Sequence, residues 1–481
     1  MTDKQTANSS TDSDPISIKE KVGYGLGDTA SNLYWKLFEN FQLYFYTEVF
    51  GISAISAGWM FFVTKLWDAF NDPMVGYISD RTQTAWGRFR PYLVWMCVPF
   101  AVTGILTFYT PDLSPQGKLI YAYATYILVF MAYTAINIPY GALMGVISPS
   151  SLERTSVATY RFILAFCGGL IVQKFTMPLV QYFGGSTTEI VDGQEKIIPL
   201  DPQTGFFWTV VCYACLAVVL FLITFATTKE RVVPQQKKNT RFWADVKDLM
   251  GNWPWMVLLI VGLFQILGGW TRGSATGYYF KYYLGVYDFG NFLVAGTIAS
   301  ICGMLLTKPL KQVLGAKWLM IWANVGVGLL TIAFLFLKPG QTGLMYTFHI
   351  MAGLIGGPIP VLLWSMYADV ADYSEWKNNR RATGLVFAAA TFSQKMGGAL
   401  GGAVPGWCLA SYGFREPVDG VDFEQSPETI NGIIYMMSVI PGVFILFGAF
   451  VMLFYTLTEK KLELIESELK SRKETPIEDI D

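Results

Sequence analysis

The sequence predicts an all-α polytopic membrane protein with twelve transmembrane helices in two six-helix halves. Hydrophobic residues make up 53% of the 481 residues and charged residues only 15%, whereas an average soluble protein carries roughly 25% charged residues. Twelve apolar segments are long enough for the roughly 20 residues that one membrane crossing needs. The longest internal polar stretch, 228–250, divides these segments six and six. Two matching six-helix halves are typical of transporters.

The predicted spans follow one another with short polar connections. In chain order they cover residues 24–50, 53–79, 91–110, 119–146, 156–183, 204–227, 253–283, 290–307, 318–337, 342–370, 382–411 and 430–457. Each half has a basic loop between its second and third span, which supports an internal repeat. The chain organisation that we predict is a disordered tail 1–20, an N-terminal half 21–228, a central loop 229–251, a C-terminal half 252–457 and a second tail 458–481.

Loop charges predict the orientation of the chain in the membrane. The even-numbered loops carry far more Lys and Arg than the odd-numbered loops, so we expect the even-numbered loops, the central loop and both termini to be cytoplasmic. The first 20 residues are polar and lack the apolar core of a signal peptide. A multi-pass protein of a plasma membrane, such as the bacterial inner membrane, is therefore predicted.

Composition and motifs exclude several other classes of protein. The formal net charge of −1 provides no basic field for nucleic acid. Cys212 and Cys215 have a CxxC spacing, but the chain has no second such pair and one histidine, His349, so we expect no structural zinc. Nucleotide-binding and hydrolase motifs are also missing from the sequence. We therefore expect neither an enzyme nor a cofactor.

The second predicted span carries two carboxylates inside the membrane. Asp68 and Asp72 are four residues apart and share one helical face with Asn71. We expect no basic residue within three positions on that face to neutralise them. Two nearby carboxylates in a medium of low dielectric constant need a proton or cation between them. We therefore expect a site for a coupling cation, Na⁺ or H⁺, although neutralisation from another helix is the alternative.

Spans one and four add polar groups at the same depth. Thr134 and Asn137 lie on one face of span four, where they suit a cation shell, sugar hydroxyls or interhelical packing. Asn32 and Lys36 lie on one face of span one. We expect both to contact substrate, unless Lys36 only neutralises Glu39 three residues later.

Lone cations stand in three further spans. Arg161, Arg272 and Lys395 lie in spans five, seven and eleven, and an isolated intramembrane cation faces the protein interior. They either bind hydroxyls or a carboxylate of a substrate or balance the aspartates. Trp364 is one of several aromatic residues suited to stacking on a sugar, or to the membrane interface.

Charged residues at the inner end of span ten predict a gate. Acidic residues spaced by three precede basic ones there, and further arginines lie on the same predicted membrane side. Salt bridges between the halves would close the cytoplasmic side, whereas surface charge is the alternative. The predicted gate residues are Arg88, Arg90, Arg154, Asp369, Asp372, Glu375 and Arg381.

These motifs resemble the melibiose-permease-like family of glycoside–pentoside–hexuronide:cation symporters, a branch of the major facilitator superfamily. The matching strings are LYFYTEVFGIS, KLWDAFNDPMVGYISDR, WGRFRPY, YTAINIPYGAL, YRF, ADVADYSEWK and QKMGG. The resemblance extends over residues 20–457 and implies a major facilitator fold. It implies that Asp68, Asn71, Asp72 and Thr134 bind the cation, and that Arg161 and Lys395 bind the sugar.

Three positions differ from the family pattern. Asn32 and Asn137 stand where the family has carboxylates that hold sugar hydroxyls, and Gly141 stands where it has a tryptophan. We therefore expect a uronate-bearing sugar or an oligosaccharide rather than a small neutral galactoside. The resemblance implies cation-coupled import by alternating access, and we expect a monomer in membrane lipid. The alternatives are an exporter or a carrier of lipid-like or sulfonate compounds, and a non-transporting sensor.

Overall fold

The computed structural model of the protein describes residues 15–148, 150–191, 194–231, 250–378, 383–417 and 423–474. The N-terminal half contains α1 (Ile18–Tyr44), α2 (Ala54–Arg81), α3 (Arg90–Thr107), α4 (Pro115–Val146), α5 (Ser151–Gly184) and α6 (Pro202–Thr227). Between α5 and α6, strands β1 (Ser186–Val191) and β2 (Gln194–Pro199) form an antiparallel hairpin. The predicted tail 1–20 lies mostly outside the described residues, as does most of the predicted central loop.

The C-terminal half begins after the central loop and is also helical. Its elements are α7 (Trp253–Tyr278), α8 (Gly290–Leu305), α9 (Thr307–Ala333), α10 (Thr342–Gly356), α11 (Pro358–Asn378), α12 (Thr383–Ser411), α13 (Pro427–Met437) and α14 (Val439–Met452). A final helix, α15 (Glu459–Glu474), has a polar sequence. It lies within the predicted second tail, 458–481.

Local sequence accounts for where these helices begin. Ser114 and Ser426 each accept a hydrogen bond from the backbone N–H three residues later, at 3.2 Å in both cases. Pro115 and Pro427 follow them at the first helical position. A serine cap followed by proline favours helix initiation, because proline has no backbone N–H to leave unsatisfied.

Eight helical segments in the described residues are long and apolar enough to cross a membrane. The other four predicted spans are less apolar or shorter than these eight. Three of them, α1, α2 and α12, carry ionisable side chains within the apolar stretch, and α8 is apolar but only 16 residues long. Two of the eight, the tenth and twelfth predicted spans, are interrupted before Pro358 and at Ser438. The predicted loop 307–318 is helical from Thr307, with a break at Gly315.

The first helix of each half ends in the same way. A π-helical turn follows α1 at Phe45–Phe50, and another follows α7 at Tyr279–Leu284. Gly51 (φ 80°) and Gly285 (φ 66°) terminate these turns in the left-handed conformation, which glycine adopts without a steric penalty. This correspondence supports the predicted internal repeat.

The bundle has two distinguishable ends. At one end, which we name the terminal side, the backbone N–H of Ile16 donates to Glu153 at 3.0 Å and Glu20 pairs with Arg231 at 2.7 Å. That carboxylate raises the pKa of Arg231. The other end, the hairpin side, carries the β1–β2 hairpin and both π-helical turns.

The two halves meet closely at the hairpin side. Glu48 contacts the ammonium of Lys281 and accepts a hydrogen bond from Tyr282 at 2.7 Å. The hydroxyls of Thr47 and Tyr278 are 2.5 Å apart. Helices α2 and α12 also touch backbone to backbone, since a Cβ atom at Gly406 would lie 2.3 Å from the carbonyl oxygen of Ala54. The bundle is therefore closed at the hairpin side.

We predict that the Glu48–Lys281 ion pair stabilises this closed arrangement. The side chains are only 1% and 8% exposed, and removing one partner of a buried ion pair costs about 3–5 kcal/mol. Lys281→Met should lower the melting temperature of the purified protein by several degrees, and Glu48→Gln/Lys281→Met should recover much of that loss. Lys338→Met, at an exposed position, is the matched control. Equal melting temperatures for wild type and Lys281→Met would contradict this prediction.

Candidate substrate and cation sites

A central cavity lies between the two halves. It consists of a wide chamber of about 850 Å³ and a deep chamber of about 400 Å³. The two chambers share Lys36, Thr297, Ser300, Trp364 and Gln394 in their walls, so they adjoin. Both fall in the size range of small-molecule sites.

The wide chamber contains an ion pair between α1 and α5. The Nε atom of Arg161 donates to the Asp28 carboxylate at 2.7 Å. The amide of Asn32 donates to the backbone oxygen of Asp28 at 2.9 Å. Sequence reasoning left open whether Arg161 binds substrate or balances an aspartate, and in this structure its charge is balanced by Asp28. Trp35 and Tyr133 stack in the same wall at 5.8 Å between ring centroids.

Asn137 packs between α4 and α1. Its side-chain oxygen accepts from the hydroxyl of Ser31 at 2.7 Å, and its amide donates to the carbonyl oxygen of Tyr133 at 3.1 Å. Asn137 therefore already has protein partners for both functional groups. Gly141, one turn further along α4, has open space where a Cβ atom would stand.

Lys36 lines both chambers and forms an ion pair with Glu39, three residues later in the sequence. Its ammonium contacts the Glu39 carboxylate at 2.7 Å, and Glu39 lines the deep chamber. The sequence left open whether Lys36 only neutralises Glu39, and the structure contains this ion pair. Trp364 forms part of the wall of both chambers.

The carboxylate of Asp72 contacts one residue predicted to bind the cation and one predicted to bind substrate. One oxygen of Asp72 accepts a hydrogen bond from the hydroxyl of Thr134 at 3.1 Å. The other oxygen contacts the ammonium of Lys395 on α12. The Asp72 carboxylate is therefore shared by α2 and α4 of the N-terminal half and α12 of the C-terminal half.

Asp68 has a basic partner on its own helix, which corrects the sequence analysis. The ammonium of Lys65 lies 3.3 Å from the Asp68 carboxylate and 3.3 Å from the ring centroid of Phe130. The expectation that no basic residue stands within three positions on that face was wrong, because Lys65 precedes Asp68 by three residues. That spacing in KLWD was the signal that could have identified it.

Two polar atoms remain unsatisfied beside this pair. The second oxygen of Asp68 and the amide nitrogen of Asn71 are buried and have no hydrogen-bond partner among the described residues. Asp68 is 2% exposed and Asn71 is 6% exposed. Buried polar groups are normally satisfied, so this cluster has unused capacity to bind a further group.

Arg272 lies in the wall of the deep chamber on α7. Its Nη1 atom donates to the hydroxyl of Thr331 at 3.3 Å, and its guanidinium lies 4.5 Å from the ring centroid of Phe334. Of the three lone cations predicted from the sequence, two are thus paired with aspartates and Arg272 is held by a hydroxyl and a ring.

The predicted gate residues that the structure describes lie at the terminal side. The backbone N–H groups of Arg88 and Arg90 donate to Glu230 at 2.8 and 2.9 Å, and the guanidinium of Arg154 donates to the carbonyl oxygen of Ser148 at 2.8 Å. Sequence reasoning missed Glu230. Asp369, Asp372 and Glu375 lie on α11, and Arg381 lies outside the described residues. Bridging between the halves by these residues stays a prediction.

Comparison with known proteins identifies relatives over almost the whole chain. An inner membrane symporter, YicJ, of Escherichia coli (strain K12) is 36% identical, with 96% of each chain covered. A putative glycoside/cation symporter, YagG, of the same strain is 36% identical over 94% of this chain and 95% of its own. An isoprimeverose transporter of Lactiplantibacillus pentosus is 34% identical over 91% of this chain and 88% of its own.

Solved structures share the fold at low sequence identity. A bacterial homologue of the human lysosomal transporter Spinster, in an inward-facing and occupied conformation, superimposes with a TM-score of 0.65 and 14% identity, covering 92% of this chain and 97% of that one. A D-xylose–proton symporter gives a TM-score of 0.59 at 14% identity, covering 92% and 98%. The fold is therefore that of the major facilitator superfamily. Residues 23–459 match the family model described as MFS/sugar transport protein, and the chain belongs to this family of membrane transporters rather than to an enzyme family.

Proposed function

We propose that the protein imports a sugar together with a cation, Na⁺ or H⁺, by alternating access. The names of the relatives, a glycoside/cation symporter and an isoprimeverose transporter, support this activity. The central cavity supports it as well, because its walls combine hydroxyls, amides and the rings of Trp35 and Trp364. Aromatic faces and polar groups together suit the apolar and hydroxylated surfaces of a sugar.

The observation that carries the proposal is the position of Asp72 between the halves. Its carboxylate contacts Thr134 in one half and Lys395 in the other. Oxygen atoms of this kind are the ligands that hard cations prefer. We assign cation binding to Asp68, Asn71, Asp72 and Thr134, with the unsatisfied oxygen of Asp68 among the candidate ligands.

Lys395 provides a physical basis for coupling. With Lys65 at Asp68 and Lys395 at Asp72, the two carboxylates are already neutralised. A cation that binds Asp72 competes with the Lys395 ammonium and weakens the ion pair between the halves. Gln394, the adjacent residue, lines both chambers, so the released lysine lies next to the substrate cavity. Occupancy of one site thereby changes the charge presented to the other.

The closed hairpin side, together with the predicted orientation, corresponds to an inward-facing carrier. The loop charges predict that both termini are cytoplasmic, and with that orientation the Glu48–Lys281 contact would seal the outer face of a bacterial inner membrane. Outward opening would break that ion pair and bring the two halves together at the terminal side. In that state we propose that Arg88, Arg90 and Arg154 approach the acidic residues of α11 and close the cytoplasmic side.

We predict that Asp72→Asn abolishes uphill transport and leaves some downhill exchange. The amide keeps the size of the carboxylate but binds neither a proton nor a metal ion strongly, so the gradient no longer drives the sugar. Accumulation of labelled isoprimeverose in proteoliposomes with an imposed Na⁺ or pH gradient should fall about tenfold or more. Asp112→Asn, at an exposed loop position, should behave like wild type. Retained accumulation by Asp72→Asn would contradict the cation site.

We further predict that Lys65→Met makes stability depend on the external cation. The substitution removes the ammonium from the buried Asp68 carboxylate, which then requires a proton or metal ion in its place. The melting temperature should fall in Na⁺-free buffer at pH 8 and recover as Na⁺ is added or the pH is lowered. The double variant Lys65→Met/Asp68→Asn carries no carboxylate there and should lose this sensitivity. A flat response of Lys65→Met would show that Lys65 does not compensate Asp68.

A further inference from the structure

The deep chamber contains one arginine whose charge has no acidic partner among the described residues. The Nε and Nη2 atoms of Arg272 are buried and make no hydrogen bond to any described residue. Only Nη1 is bound, to the hydroxyl of Thr331 at 3.3 Å. A buried charge without a counter-charge is costly, so the empty carrier keeps Arg272 in an unfavourable environment.

The other intramembrane cations of the cavity region are compensated. Arg161 pairs with Asp28 at 2.7 Å, and Lys36 pairs with Glu39 at 2.7 Å. Lys395 contacts Asp72 just outside the chamber walls. Among the described side chains that line the two chambers, three are cationic and two are anionic. The walls therefore carry one uncompensated positive charge, and it belongs to Arg272.

Besides this guanidinium, the deep chamber has open space at Gly269 and a second side chain with unsatisfied nitrogen atoms. Gly269, one turn earlier on α7, lines the deep chamber and has no atom within 4 Å of the position of a Cβ. His349 on α10 lines the same chamber, and both of its ring nitrogens are buried without a partner among the described residues. Its ring stacks on Phe292 at 3.9 Å between centroids. The wall of the deep chamber thus includes two side chains with buried, unused hydrogen-bonding capacity.

We propose that Arg272 binds an anionic substituent of the transported sugar, a carboxylate or a sulfonate. This inference rests on the proposed sugar transport and assigns the acidic group to the deep chamber rather than to Arg161 or Lys395. Because Nε and Nη2 are buried in this structure, a ligand reaches them once the guanidinium turns into the chamber, where the two atoms form a planar fork. Two parallel charge-assisted hydrogen bonds to an oxyanion satisfy both donors and cancel the charge, whereas a neutral hydroxyl leaves the charge uncompensated.

Binding of matched glycosides to the purified full-length protein tests this assignment. Methyl β-D-glucuronide, methyl β-D-glucoside and the 6-sulfonate analogue of the glucoside differ only at the sixth carbon. In wild type, at least one of the two anionic glycosides should bind about tenfold or more tighter than the glucoside, and the better anionic ligand identifies carboxylate or sulfonate. Arg272→Gln should abolish the preference and Arg272→Lys should keep part of it. Lys338→Gln, at an exposed position, should bind like wild type.

The melting temperature without ligand distinguishes a binding role from a structural one. If Arg272 is an uncompensated charge in the empty carrier, Arg272→Gln should melt at or above the wild-type temperature, because the substitution removes a buried charge. A melting temperature several degrees below wild type, together with loss of binding of all three glycosides, would assign Arg272 to the structure and overturn the proposal. Equal weakening of neutral and anionic glycosides in Arg272→Gln would also overturn it, since hydroxyl binding would then explain the residue.

Failure of this inference can be separated from failure of sugar symport. Cation-driven accumulation of isoprimeverose without any preference for anionic glycosides would overturn the role of Arg272 and leave the transport proposal standing. Absence of cation-driven uptake of every sugar in wild-type proteoliposomes would overturn the transport proposal. Selective binding of an anionic glycoside that depends on Arg272 would still support the assignment of the anion site in that case.

Discussion

The carboxylate of Asp72 is the point at which the two halves of the carrier share a charge. Thr134 binds one of its oxygens from the N-terminal half, and Lys395 contacts the other from the C-terminal half. A carboxylate in an apolar environment requires a positive partner, and here that partner, Lys395, belongs to the opposite half. Any cation that takes the place of Lys395 therefore alters the contact between the halves. The remaining features of the site follow from this constraint.

Charge compensation inside the membrane explains much of the architecture. The ion pair of Asp68 with Lys65 lies within α2, whereas that of Glu48 with Lys281 joins the halves at the hairpin side. Each pair avoids the cost of an isolated intramembrane charge. Among the described residues of the cavity walls, Arg272 is the exception, and an exception of this kind is expected at a functional site because binding a ligand can supply the missing compensation.

Composition and periodicity were sufficient to predict the helical membrane fold, because apolar length is a strong signal in a membrane. The family resemblance grouped Asp72 with Thr134 but assigned Lys395 to the sugar. The contact between Lys395 and Asp72 was predicted only as an alternative, charge balance for the aspartates, since no local pattern relates α2 to α12. Lys65 was missed although its spacing from Asp68 was visible in the sequence. The partners of Arg161 and Arg272 could not be derived, because they depend on how helices pack across long separations in the chain. The breaks before Pro358 and at Ser438 likewise depend on packing.

The most direct test of the account is the effect of the cation on sugar affinity at equilibrium. Binding of isoprimeverose and of methyl β-D-glucuronide to the purified carrier should be measured in Na⁺ and in choline at fixed pH, and then over a range of pH in choline. Coupling through Asp72 predicts that Na⁺ or protons tighten sugar binding about tenfold or more, with a reciprocal effect of the sugar on cation affinity. A sugar affinity that is independent of both Na⁺ and pH would contradict the central role of Asp72.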